Sequence, residues 1–220
     1  MNKIIIDFDS TFVKIESLEE LAKICLKNHP KKNSTFKKIQ QITKDGMDGN
    51  IPFETSLKQR LELFKINKKN IEELINVLNK NITTSIEKNK SFFRQHKNNI
   101  YIISGGFKEY ILPICEKFSI DTNHILANNF IFDTNQEVVG FDRDNPLSQK
   151  TGKATQVRQL NLLGKIYVIG DGYTDYEIKK YQQADIFLSF TENVRRQKIV
   201  NLSDEEIKNF DEFINIFNKK

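Results

Sequence analysis

The stretch IIIDFDST, residues 4–11, decides how the rest of the chain is read. Three isoleucines in succession suit a short buried strand, yet the run closes on two aspartates with only Phe8 between them. A carboxylate at the edge of a core loses hydration unless a cation or a hydrogen-bond donor replaces it. Something positive is therefore expected beside Asp7 and Asp9. Side chains two residues apart in extended chain point the same way, so both acids should face one space.

Working outward, residues 17–28 (SLEELAKICLKN) set Leu18, Leu21, Ala22, Cys25 and Leu26 at helical spacing behind a serine cap, with glutamates in the first turn. Helical patterns continue over 35–44, 53–66 and 69–80, interrupted by the turn-like DGMDGNIP at 45–52. Strand character returns in NIYIISGG (99–106), in a hairpin pattern NFIFDTNQEVVGF (129–141), in KIYVIGDG (165–172) and in ADIFLSF (184–190). Helices are expected at 107–118, 152–162 and 175–182, with another ending the chain. Strand alternating with helix predicts an α/β fold whose parallel sheet is covered on both faces. The helical run after the first strand predicts an inserted cap.

The 220 residues, 38% hydrophobic, suffice for one domain with a sizeable insertion. The longest apolar run is far short of a membrane span, and the chain reaches Asp7 before a signal-peptide apolar region could develop. A cytoplasmic protein with no membrane partner is expected. Cys25 and Cys115 show no CxxC spacing and read as free thiols in a reducing compartment. The net charge of +5 lies in residues 17–80, which carry 13 Lys and Arg against 8 Asp and Glu. Those lysines are scattered among Asn and Glu without interleaved aromatics, which argues for a solvated surface and against a nucleic-acid partner. His29, His96 and His124 are isolated, with no metal-ligand spacing.

Three expected strands end in polar signatures: Asp7 to Thr11, Ser104-Gly105-Gly106, and Gly170-Asp171-Gly172-Tyr173-Thr174-Asp175. In doubly wound sheets the carboxyl ends of parallel strands line the ligand crevice, so these distant stretches should converge. Asp7, Asp9, Asp171 and Asp175 would then crowd four carboxylates together, which is tolerable around a hard cation, and oxygen-only ligands favour Mg²⁺. A phosphate cradle accompanies them. Ser104 with the Gly105-Gly106 backbone offers a hydroxyl and N–H donors at a helix start, and Lys153 after Gly152 offers a cation. Each piece alone is a common pattern; their joint order at strand ends is not.

With these residues assembled, the chain resembles the haloacid dehalogenase-like phosphatases, whose four motifs stand here as DFDST, Ser104, Lys153 and GDGYTD. The resemblance runs from Ile4 to about Val200. Within that superfamily it looks most like the branch that hydrolyses phosphoserine, through DFDSTFVKIE, MDGNIPFETSLKQRL, ISGGF, the Gly152-Lys153 helix start, GDGYTDYE and FTENVRRQ. The resemblance implies a Rossmann-like core over 1–13 and 81–220, with a small β-hairpin and a helical cap inserted over 14–80.

It also implies roles. Asp7 would be the nucleophile that forms an aspartyl-phosphate, and Asp9 the general acid and then base. Mg²⁺ would be held by Asp7, the Asp9 backbone carbonyl and Asp171, with Asp175 in support. Ser104, Gly105 and Lys153 would stabilise phosphoryl oxygens; Lys150 is the alternative motif lysine. Arg60 would grip the substrate carboxylate and Glu16 its ammonium, under Met47 and Phe53 of the cap, with Thr174 and Arg196 near the site. The expected reaction is Mg²⁺-dependent hydrolysis of O-phospho-L-serine to L-serine and phosphate, the last step of serine biosynthesis, by a monomer or homodimer. Two rivals stand beside it: the same core acting on another small phosphomonoester (phosphocholine, phosphoethanolamine or a phosphosugar), and a non-catalytic phospho-ligand binding module. Glu16 with Arg60 disfavours the first, and the intact catalytic set disfavours the second.

Overall fold

The computed structural model describes residues 2–219. Its first strand, β1 (Lys3–Ile6), is the middle of the molecule: it pairs in parallel with β2 (Ile100–Phe107) on one side and with β6 (Ile166–Gly170) on the other. Beyond these lie β3 (Ile125–Asn128), β7 (Ile186–Phe190) and β8 (Glu205–Ile207), giving a six-stranded parallel sheet in the order β3-β2-β1-β6-β7-β8. The isoleucine run now has its reason. Ile4 and Ile6 face one layer, with Phe93, Tyr167 and Phe210, while Ile5 faces the other, with Val157, Val168 and Phe187. A central strand covered on both faces has no solvent side for a polar residue to occupy.

The helices fall into three groups. Between β1 and β2 run α1 (Ser17–Cys25), α2 (Lys32–Met47), α3 (Phe53–Leu61), α4 (Lys68–Asn79), α5 (Thr84–Lys88) and α6 (Lys90–His96). Val13 and Ile82 form an antiparallel bridge, and Lys14 N–H donates to the Asn81 carbonyl at 2.7 Å, so the chain leaves and returns side by side around α1–α4. The connections between strands supply α7 (Lys108–Cys115), α8 (Gly152–Leu160), α9 (Tyr173–Lys180) and α10 (Gln197–Val200), and α11 (Phe210–Asn218) ends the described chain. A two-stranded antiparallel hairpin, β4 (Phe130–Phe132) with β5 (Val138–Phe141), stands apart from the sheet. Among the described residues no helix is long and apolar enough to cross a membrane, and Cys25 and Cys115 are free.

Several local expectations need correction. The helix expected to stop before the turn-like 45–52 segment continues to Met47, because Ile39, Ile42 and Thr43 are buried and tertiary packing outweighs the glycine at 46. Ser17 is not the cap of α1. The capping position is Glu16, and Ser17 turns its amide and hydroxyl to Asp9 instead. Strands β3 and β8 were not expected. Each is four residues or fewer, and β3 follows a single-turn 3₁₀ segment without a clear alternation to mark it.

Two connections fix the crevice at the carboxyl end of the sheet. Asp7 N–H donates to the Ile169 carbonyl at 2.9 Å, which extends β1 pairing one residue further and sets Asp7 beside Gly170 and Asp171. On the other flank, Gly152 packs α8 against the segment before it: a Cβ there would meet the Pro146 carbonyl oxygen at 2.1 Å and Leu147 Cα at 2.9 Å. Both obstacles are backbone and cannot rotate away. We expect Gly152→Ala to lower stability by about 1–3 kcal/mol, read from chemical denaturation; a variant as stable as the wild type would contradict this account of how α8 is seated.

Candidate active site

The site grows from the bend that follows β1. Residues Phe8 to Phe12 form a single wide turn closed by Val13 N–H to the Phe8 carbonyl at 3.0 Å. Within it Ser10 takes a left-handed φ of 54°, a conformation that costs a non-glycine residue on the order of 1 kcal/mol. The Ser10 hydroxyl donates to Glu16 Oε1 at 2.8 Å, and the Asn193 amide donates to the Ser10 carbonyl at 3.0 Å. These bonds hold the bend in place, and the bend holds Asp7 and Asp9.

Asp7 Oδ1 accepts from its neighbour Phe8 N–H at 2.7 Å and meets Lys153 Nζ at 2.6 Å. The same ammonium reaches Asp175 Oδ1 at 2.7 Å. Asp175 Oδ2 accepts from Gly172 N–H at 3.1 Å, and a side chain at Gly170 would meet Asp175 Cγ at 2.2 Å, so β6 ends in a glycine where this carboxylate lies across it. Arg196 Nε donates to Asp171 Oδ2 at 3.0 Å, and its Nη2 stands 3.4 Å from Glu16 Oε1. Burial alone would lower the Lys153 pKa; Asp175 and Asp7 outweigh it and raise it above the ordinary lysine value.

Asp7, Asp171 and Asp175 each bring a carboxylate oxygen to one place, all within 4.8 Å of one another. In and around the crevice, five carboxylates (Asp7, Asp9, Glu16, Asp171 and Asp175) face three cations (Lys153, Arg60 and Arg196). The deficit is two charges, and an all-oxygen donor set suits a hard divalent cation. The protein alone answers that deficit by holding protons. Burial pushes Asp171 up to about 7 despite Arg196 and raises Glu16, whereas Asp175 is held as the ion-pair partner of Lys153. These residues could hold a metal ion.

Eleven of the residues singled out in the sequence as site candidates line one crevice: Asp7, Asp9, Glu16, Met47, Phe53, Arg60, Ser104, Gly105, Gly106, Lys153 and Thr174. Asp171, Asp175 and Arg196 stand beside it, joined through Lys153 and Glu16. Lys150 is exposed. The cap helices close the top: Phe53 lies over Gly105, where a Cβ would meet its ring at 2.3 Å, and the Met47 sulfur lies 3.1 Å from the place of a Cβ on Gly172. The remaining cavity is about 20 Å³, little more than one water requires. Ser104 Oγ accepts from Gly106 N–H at 3.0 Å, leaving its own proton free to donate.

Sequence reasoning missed Ser17, whose amide donates to Asp9 Oδ1 at 2.9 Å and whose hydroxyl donates to the same oxygen. It also missed Leu18, Phe107 and Tyr110 in the crevice wall. Ser17 read as a cap and the others as apolar helix or strand positions, and no local pattern separates a wall residue from a core residue.

This arrangement of strand-end acids, lysine and inserted helices defines a class. The haloacid dehalogenase-like hydrolase model matches residues 4–178, and the chain belongs to that family. The relatives found within it are phosphoserine phosphatases. The chloroplastic enzyme of Arabidopsis thaliana is 33% identical over 213 residues, covering 95% of this chain and 69% of that one. The Homo sapiens phosphoserine phosphatase is 30% identical over 211 residues, covering 94% and 89%. Among solved structures, a phosphoserine phosphohydrolase-like protein from Francisella tularensis superposes with a TM-score of 0.88 at 32% identity, covering 98% of this chain and 99% of that one.

Asp9 gives the site a measurable pH signature. Burial, then the charge of Glu16, raise its pKa from the ordinary 3.8 to about 8, with Ser17 pulling the other way. A carboxyl whose pKa rises on folding contributes stability that is full below the unfolded value and lost as pH climbs through the folded one. Asparagine does not titrate. In magnesium-free buffer, the Tm of Asp9→Asn should therefore fall less steeply than that of the wild type between pH 5 and 8 (about the interval the two pKa values bracket); parallel curves would contradict the burial of an acidic Asp9.

Proposed function

We propose that this chain hydrolyses O-phospho-L-serine to L-serine and phosphate through an aspartyl-phosphate on Asp7, the closing step of serine formation, in a reducing cytoplasm. The observation that carries the reading is Arg60. The residue is 4% exposed; its guanidinium donates from Nε to the Ser56 carbonyl at 3.2 Å and from Nη1 to Thr43 at 3.4 Å, and has no ion-pair partner among the described residues. The charges of Glu16 and Asp9 reach it but neither closes an ion pair, and a buried charge without a paired counter-ion is destabilising by several kcal/mol, on the order of 3–5. A ligand carboxylate in the crevice would supply the missing partner, and the names of the relatives point to the same substrate.

In this reading residues 14–80 form a cap that selects the substrate and the rest performs the chemistry; the paired chain at Val13 and Ile82 supports that division. Phosphate lies on Ser104, the Gly105 amide and Lys153. Asp7 attacks phosphorus in line, its new O–P bond forming as the serine O–P bond breaks. Asp9 gives its proton to the departing serine oxygen, then takes one from the water that attacks the aspartyl-phosphate, freeing phosphate and Asp7. Burial and Glu16 favour the protonated form of Asp9, raised to about 8 in the metal-free site, which suits the first task, and the Ser17 bonds hold its carboxyl in place for the second. Mg²⁺ would be held by Asp7, Asp171 and the Asp9 carbonyl with Asp175 in support. Bound there, it offsets the repulsion between anionic Asp7 and anionic phosphate. Glu16 meets the ammonium, and Met47 and Phe53 exclude water, which strengthens each charged contact.

Phosphate release with Mg²⁺ from L-phosphoserine, phosphoethanolamine, phosphocholine and a sugar phosphate tests the proposal. We expect L-phosphoserine to be preferred, and Arg60→Ala to lower its kcat/KM by about 100-fold or more, as loss of a buried charged contact does. Preference for a substrate without a carboxylate, indifferent to Arg60, would leave a phosphatase of another specificity. No release from any of them would point to a binding module.

A further inference from the structure

One polar group in the crevice has no role in the mechanism above. Tyr110, in the first turn of α7, is fully buried, its ring packs 6.2 Å from that of Phe107, and its hydroxyl has no hydrogen-bond partner among the described residues. It lines the same crevice as Asp9, Glu16 and Arg60. The neighbouring glycine leaves room for it: a Cβ on Gly106 would meet Tyr110 Oη at 2.8 Å and Ser104 Oγ at 3.2 Å. A buried hydroxyl left unpaired costs about as much as a lost hydrogen bond, so a tyrosine held this way calls for a partner that the protein itself does not provide.

We propose that Tyr110 is a specificity residue, whose Oη donates a hydrogen bond to the carboxylate of the bound substrate beside Arg60; this rests on the phosphoserine reading. The choice among the three substrate ends follows from donors and acceptors. The ammonium has nearby acids, Glu16 and Asp9, as acceptors. The phosphoryl oxygens have Ser104, Gly105 and Lys153. The carboxylate has about four acceptor positions, and Arg60 has already committed Nε to Ser56 and one Nη1 proton to Thr43. Three N–H groups remain on Arg60, so one more donor completes the set. Tyr110 and Arg60 lie within range of each other's charge, and among the described residues Tyr110 carries the fully buried wall hydroxyl that has no partner.

The test compares wild type, Tyr110→Phe and Arg60→Ala on L-phosphoserine and phosphoethanolamine, with thermal melts alongside. Phenylalanine keeps the ring and removes only the unpaired oxygen, so Tm should hold or rise. A hydrogen bond to a charged group is worth about tenfold or more in affinity. Tyr110→Phe should therefore raise KM for L-phosphoserine about tenfold with kcat little changed, and lower the preference for L-phosphoserine over phosphoethanolamine by the same factor. An unchanged preference, while Arg60→Ala abolishes it, would overturn the role of Tyr110 and leave the phosphoserine reading standing. So would equal losses on both substrates, the mark of a phosphate contact or a disturbed wall. A wild type indifferent to the carboxylate would remove the phosphoserine reading, and this inference with it.

Discussion

The structure depends on one ammonium group. Lys153 stands between Asp7 and Asp175, 2.6 and 2.7 Å from their oxygens, with all three side chains nearly out of reach of solvent. Burying such charges is costly, and the cost is met only where partners and geometry are fixed in advance. Here α8 begins at Gly152 in contact with the Pro146–Leu147 backbone, β1 runs on to Asp7 along β6, and Gly170 lets Asp175 lie flat. The sheet, the helix start and the glycines are thus arranged around a site that is still short of positive charge by about two units.

That shortfall explains why the carboxylates sit so far from their ordinary behaviour. Asp9 and Asp171 are pushed up to about 8 and about 7, and the common first cause is burial. Perturbed acids gathered at the carboxyl end of a parallel sheet, where strand order reverses around β1, are the physical mark of a reaction site. The helices of the proposed cap complete it. Phe53 and Met47 cover Gly105 at the end of β2 and Gly172 after β6 so closely that only about 20 Å³ remains free. A phosphomonoester would enter only as these helices move, and their return would dry the site around it.

Much of this was legible in the residues. The isoleucine run ending in Asp7 announced a central strand, the alternation of strand and helix announced the parallel sheet, and the polar strand ends announced the crevice. What escaped depends on tertiary contact. Ser17 looks like a helix cap because serine often is one, and only the bend at Ser10 turns it toward Asp9. Tyr110 sits in an apolar helix pattern that gives no hint which ring carries a hydroxyl into a cavity. Arg196 was expected near the site, but nothing local shows its partners, Asp171 at 25 residues' distance along the chain and Glu16 at 180. Strand β8 is three residues long, too short to show a period.

The central claim is that the buried acids beyond β1 and β6 can take a divalent cation, and that Asp9 and Asp171 hold protons without it. Calorimetric titration of Mg²⁺ into the metal-free protein near neutral pH, in two buffers of different ionisation enthalpy, tests it directly. The account predicts one site that Asp171→Asn removes, with an apparent enthalpy that differs between buffers because binding displaces protons. No binding, or the same enthalpy in both buffers, would contradict it.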